Sequence, residues 1–197
     1  MRPPLASVPP LVAVPAAIVM LALSSHGTIP MVPVPITLQT LAVTLAGALL
    51  GWRWGTLAVL LWLATGALGL PVLAGGASGT RPFLGPTAGY LFAFPVAAAC
   101  TGWLAERGWN GDRPAWALLA MLAGTAVCLL FGAGWLARSI GLEAAFHRGV
   151  VPFLPGGLLK SAAGAAILWG VARIGHHGRR SAGGSRGGAR KRRRRTA

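Results

Sequence analysis

Acidic residues are nearly absent from this chain: three Asp and Glu stand among 197 residues, against eighteen Lys and Arg. Glu106, Asp112 and Glu143 all fall in expected connections between apolar segments, so paired-carboxylate chemistry within a membrane is excluded, and a carboxylate proton relay with it. Cysteine is scarce too. Cys100 and Cys128 lie far apart inside apolar segments, without the clustered spacing of a zinc site or a disulfide framework, and read as small buried hydrophobes. His26, His147, His176 and His177 share no helical face with cysteine or carboxylate at metal-ligand spacing, so no metal site is expected. The stretch "GGASGT" lacks the lysine and hydroxyl of a phosphate-cradling loop, and the chain is not expected to hydrolyse ATP itself. With no catalytic constellation left, it is not read as an enzyme.

Charge of either sign is in short supply. Only 11% of the residues are charged and 54% are hydrophobic, whereas a soluble domain carries about 25% charged residues. An integral membrane protein is the first reading. Six apolar segments can be marked, at about 11–24, 36–51, 55–71, 86–104, 115–137 and 156–174. A span needs about 20 apolar residues, so six of them leave no room for a separate soluble domain. Several segments are shorter than that. Such lengths imply tilted helices and loops that dip into the protein, where their backbone groups find partners or line a cavity. The first segment follows Arg2 but has no convincing cleavage site, and it is read as a retained helix.

Basic charge is concentrated at one end. Ten of the eighteen Lys and Arg residues lie from Arg173 onward, in a stretch with too few apolar residues to bury a core. Residues 1–175 are therefore expected to form the transmembrane domain and 176–197 a disordered polybasic tail. A tail held beside a bilayer meets anionic lipid, at about 1 kcal/mol per basic residue, and this reading is preferred to nucleic acid. Arg2, Arg53, Arg107, Arg113 and the tail fall on one side of the six spans, and Arg81, Arg138 and Arg148 on the other. The positive-inside rule then puts both termini in the cytoplasm.

Glycine and proline cluster on the opposite, outer side. "IPMVPVPITLQT", "GLPVLAGGASGTRPFLGPTAGY" and "VPFLPGG" occupy the odd-numbered connections, and three such loops on one face suggest a lidded cavity. Gly47, Gly51 and Gly55 recur every fourth residue, a spacing that lets helices approach closely in lipid. Trp52, Trp54 and Trp109 read as anchors at the membrane interface.

Lys160 is the sharpest signal. It stands near the start of the last apolar segment, with no acidic residue nearby in the chain. A charge at mid-bilayer costs about 2.5–3.5 kcal/mol on insertion scales. Either the ammonium snorkels to the outer boundary, or it marks a site. Thr37, Thr40 and Thr44 share one stripe of an expected second helix, while Gln39 points elsewhere with an amide that needs partners. Thr87 and Tyr90 are the polar candidates of the fourth segment.

Four stretches, "PVPITLQTLAVTLAGALLG", "GALGLPVLAGG", "GPTAGYLFAFPVAA" and "PFLPGGLLKSAAGAA", resemble in order the signatures of the BioY family, the biotin-binding S components of energy-coupling factor transporters. The resemblance covers roughly residues 30–165. It implies an all-α integral membrane bundle of six transmembrane helices, resident in the bacterial plasma membrane. It further implies biotin captured as transported substrate, no cofactor of its own, and partners in a transmembrane T component and ABC-type ATPases that hydrolyse ATP. A solitary biotin carrier and an S component for another vitamin are the alternatives. In the binding site it implies Lys160 facing the biotin carboxylate, with Gln39, Thr37, Thr87, Gly89, Tyr90 and Arg81 as further contacts. Ala13 and Ala17, at A-x-x-x-A spacing on the first helix, are implied as the docking surface, with Pro15 unexpected between them. Where the family pattern reads P-G-D-x-x-K, this sequence has Gly157 in place of the aspartate, which would have shared a helical face with Lys160.

Overall fold

The computed structural model describes residues 8–193, with side chains described up to Gly175. Among the described residues six α-helices form the fold: α1 (Pro10–Ser24), α2 (Gln39–Ala67), α3 (Ala88–Glu106), α4 (Pro114–Ile140), α5 (Leu142–Gly149) and α6 (Phe153–Arg193). Among the described residues α2, α3, α4 and the Phe153–Gly175 part of α6 are long and apolar enough to cross a membrane, and α1 is a shorter apolar helix. The helical path of α6 runs on past the expected domain boundary at 175, and the last four residues of the expected tail lie outside the described residues.

α2 is two helices joined at a corner. Gly51 has φ 83° and ψ 172°, a backbone open to glycine because it has no Cβ to clash. Nine residues of straight helix would separate Ala46 from Gly55 by about 13 Å. Instead a Cβ built on Gly55 would lie 2.7 Å from the Ala46 carbonyl oxygen, so the chain has doubled back into a tight hairpin. Counting its arms, 39–50 and 52–67, and setting aside the short α5, six helical segments stand where six apolar segments were expected. Gly47 and Gly102 complete the corner: Cβ atoms there would run into the main chain of Ala98 and of Gly51–Trp52 respectively. The every-fourth-residue glycines thus serve three different close approaches, of which the Gly51 corner was not expected.

α2 packs on α1, α3, α4 and α6, and α4 bridges α3 to α5 and α6. One core, around Val43, Val59, Trp62, Phe94 and Ala97, fills the space between α2 and α3; another, around Leu45, Met121, Ala165 and Leu168, joins α2, α4 and α6. At the end carrying Gly51, Trp52 and Trp54 are exposed, Trp109 packs on Trp116 with ring centres 4.7 Å apart, and Arg107 and Arg173 lie over Trp103 and Trp169. Rings and cations at one level fit the anchoring expected of a bilayer boundary.

Three boundaries depart from the sequence reading. Ile36–Thr37 is a strand, β2, paired antiparallel with β1 (Thr28–Ile29) in the register Thr28 opposite Thr37. Pro33 and Pro35 bias their preceding residues toward extended backbone, so the helix begins only at Gln39, and Thr37 does not share a helical stripe with Thr40 and Thr44. The expected third segment ends at Ala67, ahead of Gly69 with φ 106° and Pro71. α5 was not expected: eight residues with Glu143, His147 and Arg148 read as a loop, yet Ala145 is fully buried beneath it.

Ala13 and Ala17, the residues implied as a docking surface, face inward. Both are buried inside the protein, in a cluster with Ala46, Leu50 and Ala58 of α2. Their small side chains let α1 lie close on its own neighbour. The outward side of α1 carries Leu11, Val12, Pro15, Ala16, Val19 and Leu23. Pro15 is exposed on this outward side.

Candidate functional site

The first arm of α2 is about 18 Å long at 1.5 Å per residue, well short of a hydrocarbon core of about 30 Å. The missing depth is filled by the β1–β2 hairpin and by the 68–87 connection, which contains short 3-10 turns at Ala74–Gly76 and Arg81–Phe83. Backbone without helical bonds is tolerated at depth only where it is bonded internally or lines a cavity. Both conditions hold here. A cavity of about 440 Å³ opens between these loops, α3, α4 and the start of α6.

Its loops are pinned from below by a buried polar knot. Ser25, with no exposed surface, lies with its hydroxyl 2.6 Å from the Val72 carbonyl and 3.0 Å from that of Leu21. Gln39 Nε2 donates to Ser25 Oγ at 3.0 Å, and Gln39 Oε1 accepts from the Thr37 hydroxyl at 3.2 Å. Trp62 Nε1 donates to the same Val72 carbonyl at 2.9 Å, and the Gly75 amide donates to the Ser25 carbonyl. One serine therefore ties the end of α1, the hairpin, the start of α2 and the 68–87 connection together. Ser25→Ala leaves a buried Gln39 N–H unpartnered, at a cost of about 1–3 kcal/mol. A fall in the thermal midpoint of the detergent-solubilised protein by roughly 3–10 °C is expected; an unchanged midpoint would mean that the knot does not hold the loops.

The far wall is equally anchored. Tyr90 donates to the Gly149 carbonyl at 2.7 Å and stacks on Phe153 with centroids 6.0 Å apart, so α3 grips both α5 and the start of α6. Thr87 donates to the Pro82 carbonyl and Trp135 Nε1 to that of Gly85, each at 3.2 Å, holding the 81–87 segment down. Apolar walls come from Val34, Leu73, Leu91, Phe94 and Phe153.

Lys160 faces this cavity from α6. Its Nζ donates to the Thr37 carbonyl at 2.9 Å, so the ammonium is turned inward onto β2. Its partner within the chain is thus a backbone dipole and not a charge. No Asp or Glu lines the cavity; its charged residues are Lys160 and, exposed at the mouth, Arg81. A mostly apolar chamber with cations and no anions is arranged to receive a ligand with one acidic end.

Of the residues singled out in the sequence, Thr37, Gln39, Arg81, Thr87, Tyr90 and Lys160 all line the cavity. Gly89 does not. Its missing Cβ makes room for Trp135 Cβ and the Phe131 carbonyl, so it is a contact between α3 and α4. The hydroxyls of Tyr90, Thr87 and Thr37 each spend their proton inside the protein, which leaves them as acceptors toward a ligand. Ser25, Thr125 and the Trp62–Val72 bond escaped the sequence reading, because a lone Ser or Thr in an apolar run carries no signal of what it faces.

A family model, the BioY family, matches residues 2–177. The chain belongs to the BioY family. The Rhizobium etli protein named biotin transporter BioY is 40% identical over 169 residues, which cover 82% of this chain and 89% of that one. The Pyrococcus horikoshii protein named probable biotin transporter BioY is 42% identical over 135 residues, covering 68% and 78%. A solved structure, the S-component for biotin from an ECF-type ABC transporter, superposes with a TM-score of 0.76 at 27% identity over 85% of this chain and 92% of that one. BioY architecture in this chain therefore comprises the helical bundle with the loop-lidded cavity at one end, and the family is one of transporter subunits rather than enzymes.

Proposed function

We propose that this chain is the membrane-embedded biotin-binding subunit of an energy-coupling factor transporter, holding biotin in the cavity with its carboxylate at Lys160. The observation that carries this is a chamber of about 440 Å³, within the range of roughly 300–1,000 Å³ usual for small ligands, whose one inward-turned ammonium stands in a BioY chain. Apolar walls suit the thioether ring and the aliphatic chain. Thr87, Tyr90 and Gln39 supply acceptor and donor capacity for the ureido group, and Arg81 stands at the mouth.

The cavity end faces outward and both termini lie in the cytoplasm, because Arg53, Arg107, Arg113 and Arg173 belong to the other end, together with the basic tail. A lipid-contacting basic tail from 176 onward belongs to the same reading. Energy comes from outside the chain, from a T component and ABC-type ATPases. With Ala13 and Ala17 buried, any docking stripe on α1 is formed by outward residues such as Val12, Ala16 and Val19.

Two measurements test this. The purified chain in detergent is expected to bind biotin directly, whereas a pure scaffold binds none. In cells lacking other biotin uptake, labelled biotin is expected to accumulate only when the T component and ATPases are co-expressed; accumulation by this chain alone makes it a solitary carrier.

A further inference from the structure

A carboxylate presents about four lone-pair positions, and one ammonium in an apolar chamber leaves most of them unmet. The cavity hydroxyls of Thr37, Thr87 and Tyr90 have already given their protons to Gln39, Pro82 and Gly149. Of the other hydroxyls on the lining, those of Thr40, Ser78 and Thr125, the last is held by a buried partner. Thr125 Oγ1 on α4 and Ser161 Oγ on α6 lie 3.2 Å apart, with either able to donate. Two hydroxyls joined by one bond keep one proton over.

Only Thr125 of the two lines the cavity; Ser161 is 1% exposed and turned into the helix contact. With Ser161 donating to Thr125, the spare proton belongs to Thr125, the member of the pair that lines the cavity. Thr125 also stands close to the ammonium's stretch of α6. A Cβ on Gly157 would come within 3.1 Å of Thr125 Cγ2, and Gly157 precedes Lys160 by three residues on the same helix face. Because position 157 has no side chain, the Thr125 methyl meets open backbone there, and the threonine stands on the α6 face that carries Lys160.

Building on the biotin reading above, we infer that Thr125, oriented by Ser161, is a second donor to the carboxylate that Lys160 binds. Lysine supplies charge, and the threonine supplies direction. Ser161 is a positioning residue, since it acts through Thr125.

The test uses the full chain in detergent and two ligands, biotin and biotinol, in which an alcohol replaces the acid. Thr125→Val is expected to weaken biotin about tenfold or more, as loss of a hydrogen bond to a charged group does, while biotinol binding moves by less than about twofold. Thr125→Ser keeps the hydroxyl and restores biotin binding, and Ser161→Ala lowers biotin affinity in the same selective way by a smaller factor. Equal losses for both ligands in Thr125→Val make the residue structural and overturn the inference, as does no loss at all. Lys160→Met in the same assay separates the two levels: if that variant binds biotin as the parent does, the carboxylate reading itself falls.

Discussion

Lys160→Met is expected to weaken biotin binding by roughly 30-fold to several-thousand-fold, corresponding to about 2–5 kcal/mol for removing one partner of a buried charged hydrogen bond. The magnitude comes chiefly from the carboxylate that is left behind. Among the described residues the cavity offers that group no second cation except Arg81, which is exposed at the mouth. Methionine keeps much of the length and apolar bulk of the lysine stem, so the shape of the chamber is little altered. Stability is expected to move the other way. Within the chain the ammonium bonds the Thr37 carbonyl at 2.9 Å, and placing a cation at membrane depth costs up to about 2.5–3.5 kcal/mol. The thermal midpoint of the ligand-free variant should equal or exceed that of the parent. Equilibrium binding and a melting curve on one preparation check both halves. Parental affinity in the variant would leave the ammonium as a snorkelling side chain with no part in binding.

Gly47→Val is expected to prevent assembly of the bundle. A Cβ at this position would overlap the Ala98 carbonyl, which is main chain and cannot rotate away. Relief requires α2 and α3 to separate, along the seam that holds Val43, Phe94 and Ala97. Overpacking costs about 1–3 kcal/mol where side chains can adjust and more where they cannot; here it should exceed about 3 kcal/mol. Gly134→Val is the matched control, since its Cβ would meet nothing within 4 Å. Monodisperse elution in detergent should be lost for Gly47→Val and kept for Gly134→Val. If the two variants behave alike, the close approach of α2 and α3 is not what limits stability.

Legibility of the site varied with the kind of signal. Lys160 was visible because a lone cation among apolar residues is rare enough to demand a reason. Gln39 was visible for a similar reason, but its partner Ser25 lies fourteen positions away, and nothing local to either residue announces the pairing. The A-x-x-x-A of Ala13 and Ala17 was read as a surface to be docked upon, whereas it faces α2 within the same chain. Small-residue spacing marks close approach without saying to what.

The sequence by itself determined that the chain is a membrane bundle of six apolar segments, because too few charges and too much apolar surface leave lipid as its solvent. It also placed the cavity, since glycine and proline gathered in the loops of one side, and it marked the lysine within. Tertiary structure alone decided that Gly51 turns α2 back on itself, that Gly89 and the two α1 alanines serve internal contacts, and that Thr125 meets Ser161 beside Gly157. Hydropathy reports how a residue partitions between water and lipid, but the face a helix turns toward its neighbour is chosen by packing among segments distant in the chain.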